Sequence, residues 1–201
     1  MQNRQIRRLI LGLFLGYLAF NPEANAGVHN AFRFVAPGQF AVALEPELTL
    51  TDGAGIGANL KFTHGLNDLT NATAIIGTGG GSRRFRAGAQ FTMDFFPDTD
   101  GQPGLGIATQ GIYYRQENLG RSEFTLIPYI HKAFDVRGGE VEPFFALPYG
   151  VAFVSGHYNT ISNVAVGAMF KSSEHIRYTL ELGVAINNTD SYMSGGLTYY
   201  Y

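Results

Sequence analysis

The chain has 201 residues, no Cys, and 14 basic against 16 acidic side chains. That balance offers no basic stripe for nucleic acid, and without Cys there is neither a disulfide framework nor a thiolate metal site. Charged residues make up only 15% while Gly numbers 26; an ordinary soluble domain carries about 25% charge, so the composition suits a surface facing lipid better than one facing water.

In chain order the first element is a signal peptide over residues 1–26. Arg4, Arg7 and Arg8 form a positive n-region, residues 9–20 are apolar, and Asn-Pro-Glu-Ala-Asn-Ala follows, with Ala24 and Ala26 as the small residues of a cleavage site. The apolar stretch falls short of the ~20 residues that a spanning helix requires. Cleavage would leave Gly27 at the N-terminus. It would also remove three Arg and one Glu, leaving 11 basic and 15 acidic residues, a balance of −4. Residues 27–38 read as a short periplasmic N-terminal segment and 39–201 as a single β domain.

Within 39–201 no helical period is evident, and period-two alternation recurs between turn signals. It is clearest over 176–187, where Ile176, Tyr178, Leu180, Leu182, Val184 and Ile186 oppose Arg177, Thr179, Glu181, Gly183, Ala185 and Asn187. Residues 84–95, 56–63 and 39–50 repeat the design. Weaker members are 72–78, 104–115, 123–136, 141–155, 162–171 and 192–201. Gly-, Asn- and Asp-rich turn signals separate them, including one at His157-Tyr-Asn. About ten strands with short connections predict an all-β fold: a closed, antiparallel, up-and-down transmembrane β-barrel, with eight strands as the competing count.

Alternation alone does not say which face points inward, since soluble ligand-binding barrels alternate too. The non-apolar face decides. It is mostly Gly, Ala, Ser, Thr and Asn with a few charges, which suits a narrow lumen, while the apolar face supplies an outward band for lipid. Closure follows because an open sheet edge in hydrocarbon would leave backbone groups unpaired. Glu45, Glu47, Lys61, Arg84, Arg86, Asp94, Glu142, Lys171, Arg177 and Glu181 fall on the inner parity. Enclosed charges must pair or keep water, so these residues predict either an ion-pair network that plugs the lumen or the charged lining of a narrow pore for small solutes.

The chain ends Leu-Thr-Tyr-Tyr-Tyr, with Leu197, Tyr199 and Tyr201 on one face. This resembles the C-terminal strand signal of the bacterial outer-membrane β-barrel superfamily, with Tyr where Phe is usual. The resemblance implies export to the outer membrane, periplasmic chaperones and the barrel assembly machinery as partners during biogenesis, and outer-membrane lipid and lipopolysaccharide as surroundings. Termini in such barrels are periplasmic. Connections at 51–55, 78–83, 116–122, 156–161 and 187–191 would then face outward, and those at 65–70, 97–103, 137–140 and 172–175 the periplasm. Tyr113, Tyr114, Tyr178, Tyr192, Tyr199, Phe95, Phe134 and Phe145 are candidates for the aromatic girdles at the two membrane interfaces.

The predicted role is structural or porin-like, without catalysis, cofactor or metal. The five His show no ligand spacing, and the glycine-rich turn at 77–82 lacks the Lys and helix of a phosphate cradle. The alternative is an enzyme. Ser155 and His157, two residues apart and taken on the outward parity, resemble in part the His and Ser of lipid A 3-O-deacylases, themselves small barrels, although the order is reversed here. That resemblance implies a barrel-embedded lipid A-modifying hydrolase at the extracellular rim, for which Glu174 is the only acidic partner that suggests itself.

Overall fold

The computed structural model describes residues 35–51, 54–79, 83–116 and 119–201. The described strands are β1 (Phe40–Thr49), β2 (Gly55–Asn67), β3 (Thr70–Thr78), β4 (Arg83–Phe96), β5 (Gly104–Gln116), β6 (Leu119–His131), β7 (Phe134–Val136), β8 (Gly139–Ala146), β9 (Tyr149–Val154), β10 (His157–Lys171), β11 (Ile176–Asn187) and β12 (Tyr192–Tyr200). Each pairs antiparallel with its neighbours, and β12 returns to β1 with a register running from Ala41↔Tyr200 to Thr49↔Tyr192. The sheet therefore closes into a ten-stranded barrel, which settles the count against eight.

Ten wall strands arise from twelve segments because two positions are interrupted. β8 and β9 are one strand broken at Leu147-Pro148, since Pro has no N–H for the ladder. The neighbours bridge the break: Leu147 N donates to Pro128 O (3.0 Å) and Asn163 N to Pro148 O (3.0 Å). Parity survives it, with Glu142, Phe144, Ala146 and Ala152 all buried on one face. The single strand expected over 123–136 instead stops at His131 and resumes as β7, which among the described residues pairs only with β8, around Gly138 (φ 101°). Lys132 and Ala133 turn aside there to bind the β4–β5 connection.

The turn expected at His157-Tyr-Asn lies two residues earlier. Ser155 (φ 50°) and Gly156 (φ 81°) form a two-residue hairpin turn with both central residues left-handed, the backbone that suits the twist of a tight hairpin. β10 thus begins at His157, paired with Val154.

The start of β1 and the end of β12 meet at one rim, where Tyr201 N donates to Phe40 O (2.9 Å). This terminal rim also carries the β2–β3, β4–β5, β7–β8 and β10–β11 connections; the far rim carries the other five. Alternation then sorts the side chains. Leu44, Leu60, Phe62, Leu180 and Leu197 are exposed on the outer wall, whereas Glu45, Lys61, Arg86 and Glu181 are buried inside. The barrel is apolar outside, and its interior is where its charges are enclosed.

Candidate functional site

The site is the lumen. Its side chains come from the inward parity of the wall strands, and they meet across the interior in separate groups.

Towards the far rim, Arg86 on β4 reaches Glu47 on β1 with two parallel bonds, Nη1 to Oε2 at 2.8 Å and Nη2 to Oε1 at 3.2 Å. Asn59 Nδ2 on β2 adds a bond to the same carboxylate (3.4 Å), and the guanidinium lies 5.5 Å from the centre of the Tyr114 ring. The intervening β3 presents Gly77, where a Cβ would stand 2.6 Å from Asn59 Oδ1. A forked, two-bond pair is the strong form of this interaction, and Arg86 and Glu47 are both almost fully buried. Beside them Arg121 and Glu123 pair along β6.

Towards the terminal rim the cluster centres on His131. Its Nδ1 lies 2.7 Å from Glu142 Oε1 on β8 and its Nε2 lies 3.1 Å from Asp94 Oδ2 on β4. An imidazolium, with two N–H groups, satisfies both carboxylates. Tyr129 Oη donates to the other Asp94 oxygen at 2.6 Å. β5 passes between these strands and gives them room by carrying Gly104 and Gly106. A Cβ on the first would collide with His131 Nε2, and one on the second with Tyr129 Oη.

A third group joins Lys61 to Glu45 at 2.9 Å, beside a lumen cavity of about 50 Å³ whose walls include Asn71, Thr92, Thr179 and Tyr200. Val35 is buried at its mouth, with its N donating to Asn71 Oδ1 (3.3 Å). Of the segment expected at 27–38, residues 35–38 are described: Val35 is buried against the lumen wall, and Ala36, Pro37 and Gly38 are exposed. A fourth group sets Tyr192 Oη against Glu181, with the Tyr192 ring laid over Gly183. The β11–β12 connection, expected as an outer loop, folds inward: Asp190 is buried and accepts a bond from Thr51 Oγ1 (2.6 Å). Apolar side chains fill the rest, chiefly Ile127, Phe144, Ala108, Ala146 and Ala165 in one cluster and Ile75, Ile112 and Tyr114 in another.

The structure thus places Glu45, Glu47, Lys61, Arg86, Asp94, Glu142, Arg177 and Glu181 in the interior. Arg177 stacks 5.1 Å from the Tyr200 ring centre. Lys171 is half-buried opposite Glu140 at the terminal rim, and the Arg84 side chain lies outside the described part. Leu197, Tyr199 and Tyr201 share the outward face. Two girdle expectations are corrected: Tyr114 and Tyr192 point into the lumen and are almost fully buried, while Tyr113, Tyr178, Tyr199, Phe95, Phe134 and Phe145 are exposed. Of the consecutive Tyr113 and Tyr114 only one can face lipid, and the cation at Arg86 holds the other.

Sequence reasoning missed Arg121, Glu123 and His131. All three lie on β6, whose inner face also carries Ile127 and Tyr129 while Phe124, Leu126 and Ile130 face out. A strand apolar on both faces hides its period.

The expected Ser155–His157 pair does not form on the lipid-facing wall. The hairpin turn at Ser155-Gly156 reverses parity, so His157, opposite Val154, stands on the lumen-side face, and Ser155 sits in the turn itself. Glu174 lies in the β10–β11 connection at the other end of the barrel.

At the terminal rim, Lys132 Nζ donates to Asp98 Oδ1 (2.8 Å) and to the carbonyls of Thr99 and Gln102, and Ala133 N donates to Asp98 Oδ2 (2.7 Å). Partial burial alone would push the Asp98 carboxyl up. The bonds from Lys132 and Ala133 outweigh it and hold the group below the ordinary aspartate range.

No protein-family model matches the chain, and no curated protein matches its sequence. Its structural neighbours are outer-membrane channel and porin barrels. An outer-membrane channel from Pseudomonas putida F1 superposes with a TM-score of 0.50 at 9% identity, covering 87% of this chain and all of that one. The KdgM porin gives 0.38 at 14% identity over 80% of this chain and 99% of its own. A de novo designed transmembrane β-barrel gives 0.39 at 10% identity, over 82% and 97%. The first of these speaks to the fold; the other two superpose too loosely to add to it.

Proposed function

We propose that this chain is an integral outer-membrane protein of porin-like architecture, delivered by a cleaved signal peptide, whose lumen its own side chains hold shut. The observation that carries the reading is the interior. Buried ion-pair groups and two apolar clusters meet inside the barrel, and the lumen cavity described, about 50 Å³, has room for a few waters at ~10–15 Å³ each. A wall of ten strands is only a little wider than the eight-stranded barrel whose interior side chains just fill.

The membrane assignment is supported by the outer wall, where exposed Leu, Ile, Phe and Tyr encircle the barrel. An apolar surface of that extent belongs against lipid or a partner and not against water. The terminal rim is then periplasmic, and the exposed Leu197, Tyr199 and Tyr201 stand where the barrel assembly machinery would read the last strand.

Ionic conductance of the refolded protein in a planar bilayer tests the closed lumen. We expect a folded, heat-modifiable barrel that is electrically silent at neutral pH. Steady, reproducible channel steps from the unsubstituted protein would replace the closed lumen with a narrow pore, and the charged groups above would become its selectivity residues.

A further inference from the structure

A short strap of backbone crosses the terminal mouth of the lumen. Ala36-Pro37-Gly38-Gln39 is a tight turn, with Gln39 N donating to Ala36 O (2.9 Å) and Gly38 at φ 77°. Pro followed by Gly at the two central positions suits the turn whose third residue is left-handed. The turn folds the chain back from the start of β1 over β2, where Gly65 shares a face with the buried Lys61. Gly38 N donates to Gly65 O (2.9 Å) and Gly65 N to Gln39 O (3.1 Å). A Cβ on Gly65 would collide with the carbonyl oxygens of Val35 and Ala36, so the strap rests directly on the inner face of β2. Val35 N then reaches Asn71 Oδ1 on β3.

At the end of the strap Val35 is only 2% exposed and forms part of the wall of the lumen cavity. Behind it the cavity is polar: Thr63, Thr73, Gln90 and Thr92 line it beside the Lys61–Glu45 pair. We propose that Val35 is the stopper of this cavity, and that the strap releases it towards the terminal rim while the ten-stranded wall stays closed. The proposal rests on the closed-lumen reading above and names the part of that closure able to move. The difference in attachment carries it. β1 is paired with β2 along its whole length, and with β12 from Ala41 to Thr49. Among the described residues, the strap is held to the wall by two backbone bonds to Gly65 and Gln39 and by one side-chain acceptor. All of them lie at an exposed rim, and a segment so held opens locally at far lower cost than the sheet beneath it. At the far end the Arg86–Glu47 fork joins two wall strands directly, so release of the strap leaves that end shut. The cavity therefore opens on one side, to the periplasm in the orientation given above.

The protein contains no Cys, so a single introduced thiol reports access without ambiguity. A43C places one on the wall of the cavity, two residues from Glu45. S194C places a control in the far tier, where buried Ser194 lies opposite Glu47. S172C, on the exposed β10–β11 connection, sets the rate of an open thiol. Each full chain, refolded in detergent micelles, is treated with 2-aminoethyl methanethiosulfonate. We expect A43C to react far more slowly than S172C. V35G removes the stopper and G65V displaces the strap. Each should speed A43C about tenfold, as expected for the loss of one apolar anchor, with S194C unchanged and compact gel mobility kept. V35G adds no atoms and decides the matter by itself should G65V fail to refold. A43C as fast as S172C in the otherwise unsubstituted protein overturns the closed lumen and the stopper together. A43C slow and unmoved by V35G overturns the stopper and leaves the closed lumen standing. Equal acceleration of A43C and S194C means that the whole barrel has loosened, and overturns the strap as a separate moving part.

Discussion

The two ends of the lumen enclose charge in different ways. Towards the far rim, Arg86 and Glu47 are 39 positions apart in sequence and meet across the interior from β4 to β1, a pair with matched geometry and an aromatic ring behind it. Towards the terminal rim, one imidazole is shared by two carboxylates on either side of it, and a phenol supplies a further bond to one of them. The first group depends on one residue on each side; the second is distributed over β4, β6 and β8. What they share is a glycine in the strand that passes between, Gly77 in one case and Gly106 in the other. A Cβ would crowd the Asn59 amide that bonds Glu47 in the first case and the Tyr129 hydroxyl that bonds Asp94 in the second, and its absence helps set where the lumen can hold a charge.

The sharpest way to break this comparison is to remove Arg86. R86A leaves Glu47 buried without its cation, and the expected loss is about 3–5 kcal/mol of stability, read as a lowered urea midpoint in detergent micelles. A loss no larger than that of an exposed residue would mean that water reaches Glu47 and that the far end is open.

Glycine's part is tested next. At Gly106 a Cβ would collide with Tyr129 Oη and stand 2.5 Å from the Met93 carbonyl oxygen. G106A should therefore cost roughly 1–3 kcal/mol, the range for overpacking. G111A faces outward with its nearest contact at 3.4 Å and should change stability by no more than about 0.5 kcal/mol. The temperature at which each variant loses its compact gel mobility ranks the two. Equal shifts would refute the role given to the inner glycine.

The smallest effect concerns the connection under the terminal cluster. Because Asp98 is held below its unfolded value, it contributes stability above the unfolded pKa of about 3.9, and that contribution is lost as pH falls through the lower folded value. D98N should remove roughly 0–1 kcal/mol at neutral pH, as expected for a partly exposed pair, and should cost less as the medium is acidified below that range. A deficit that persists undiminished at the acid end would assign the effect to the Ala133 bond and not to charge.

Much of this was legible from residue order. The alternation at 176–187 reappears as β11 with the same bounds, and the inward placement of Glu45, Glu47, Lys61 and Glu181 follows from parity within single strands. Legibility failed where a neighbour decided the outcome. His131 belongs to a strand apolar on both faces, Tyr192 is drawn inward by Glu181 and the bare surface of Gly183, and His157 changes face because two residues before it turn left-handed.

The sequence by itself determined the period of two and the direction of each apolar face, because these depend on residues one and two positions apart. Tertiary structure alone decided which charges meet, since Glu47 finds Arg86 only when β2 and β3 have been laid between β1 and β4 and the sheet has curled closed. It also decided the seal at the terminal mouth, where Val35 meets Asn71, 36 positions away, only through the pairing of β1, β2 and β3.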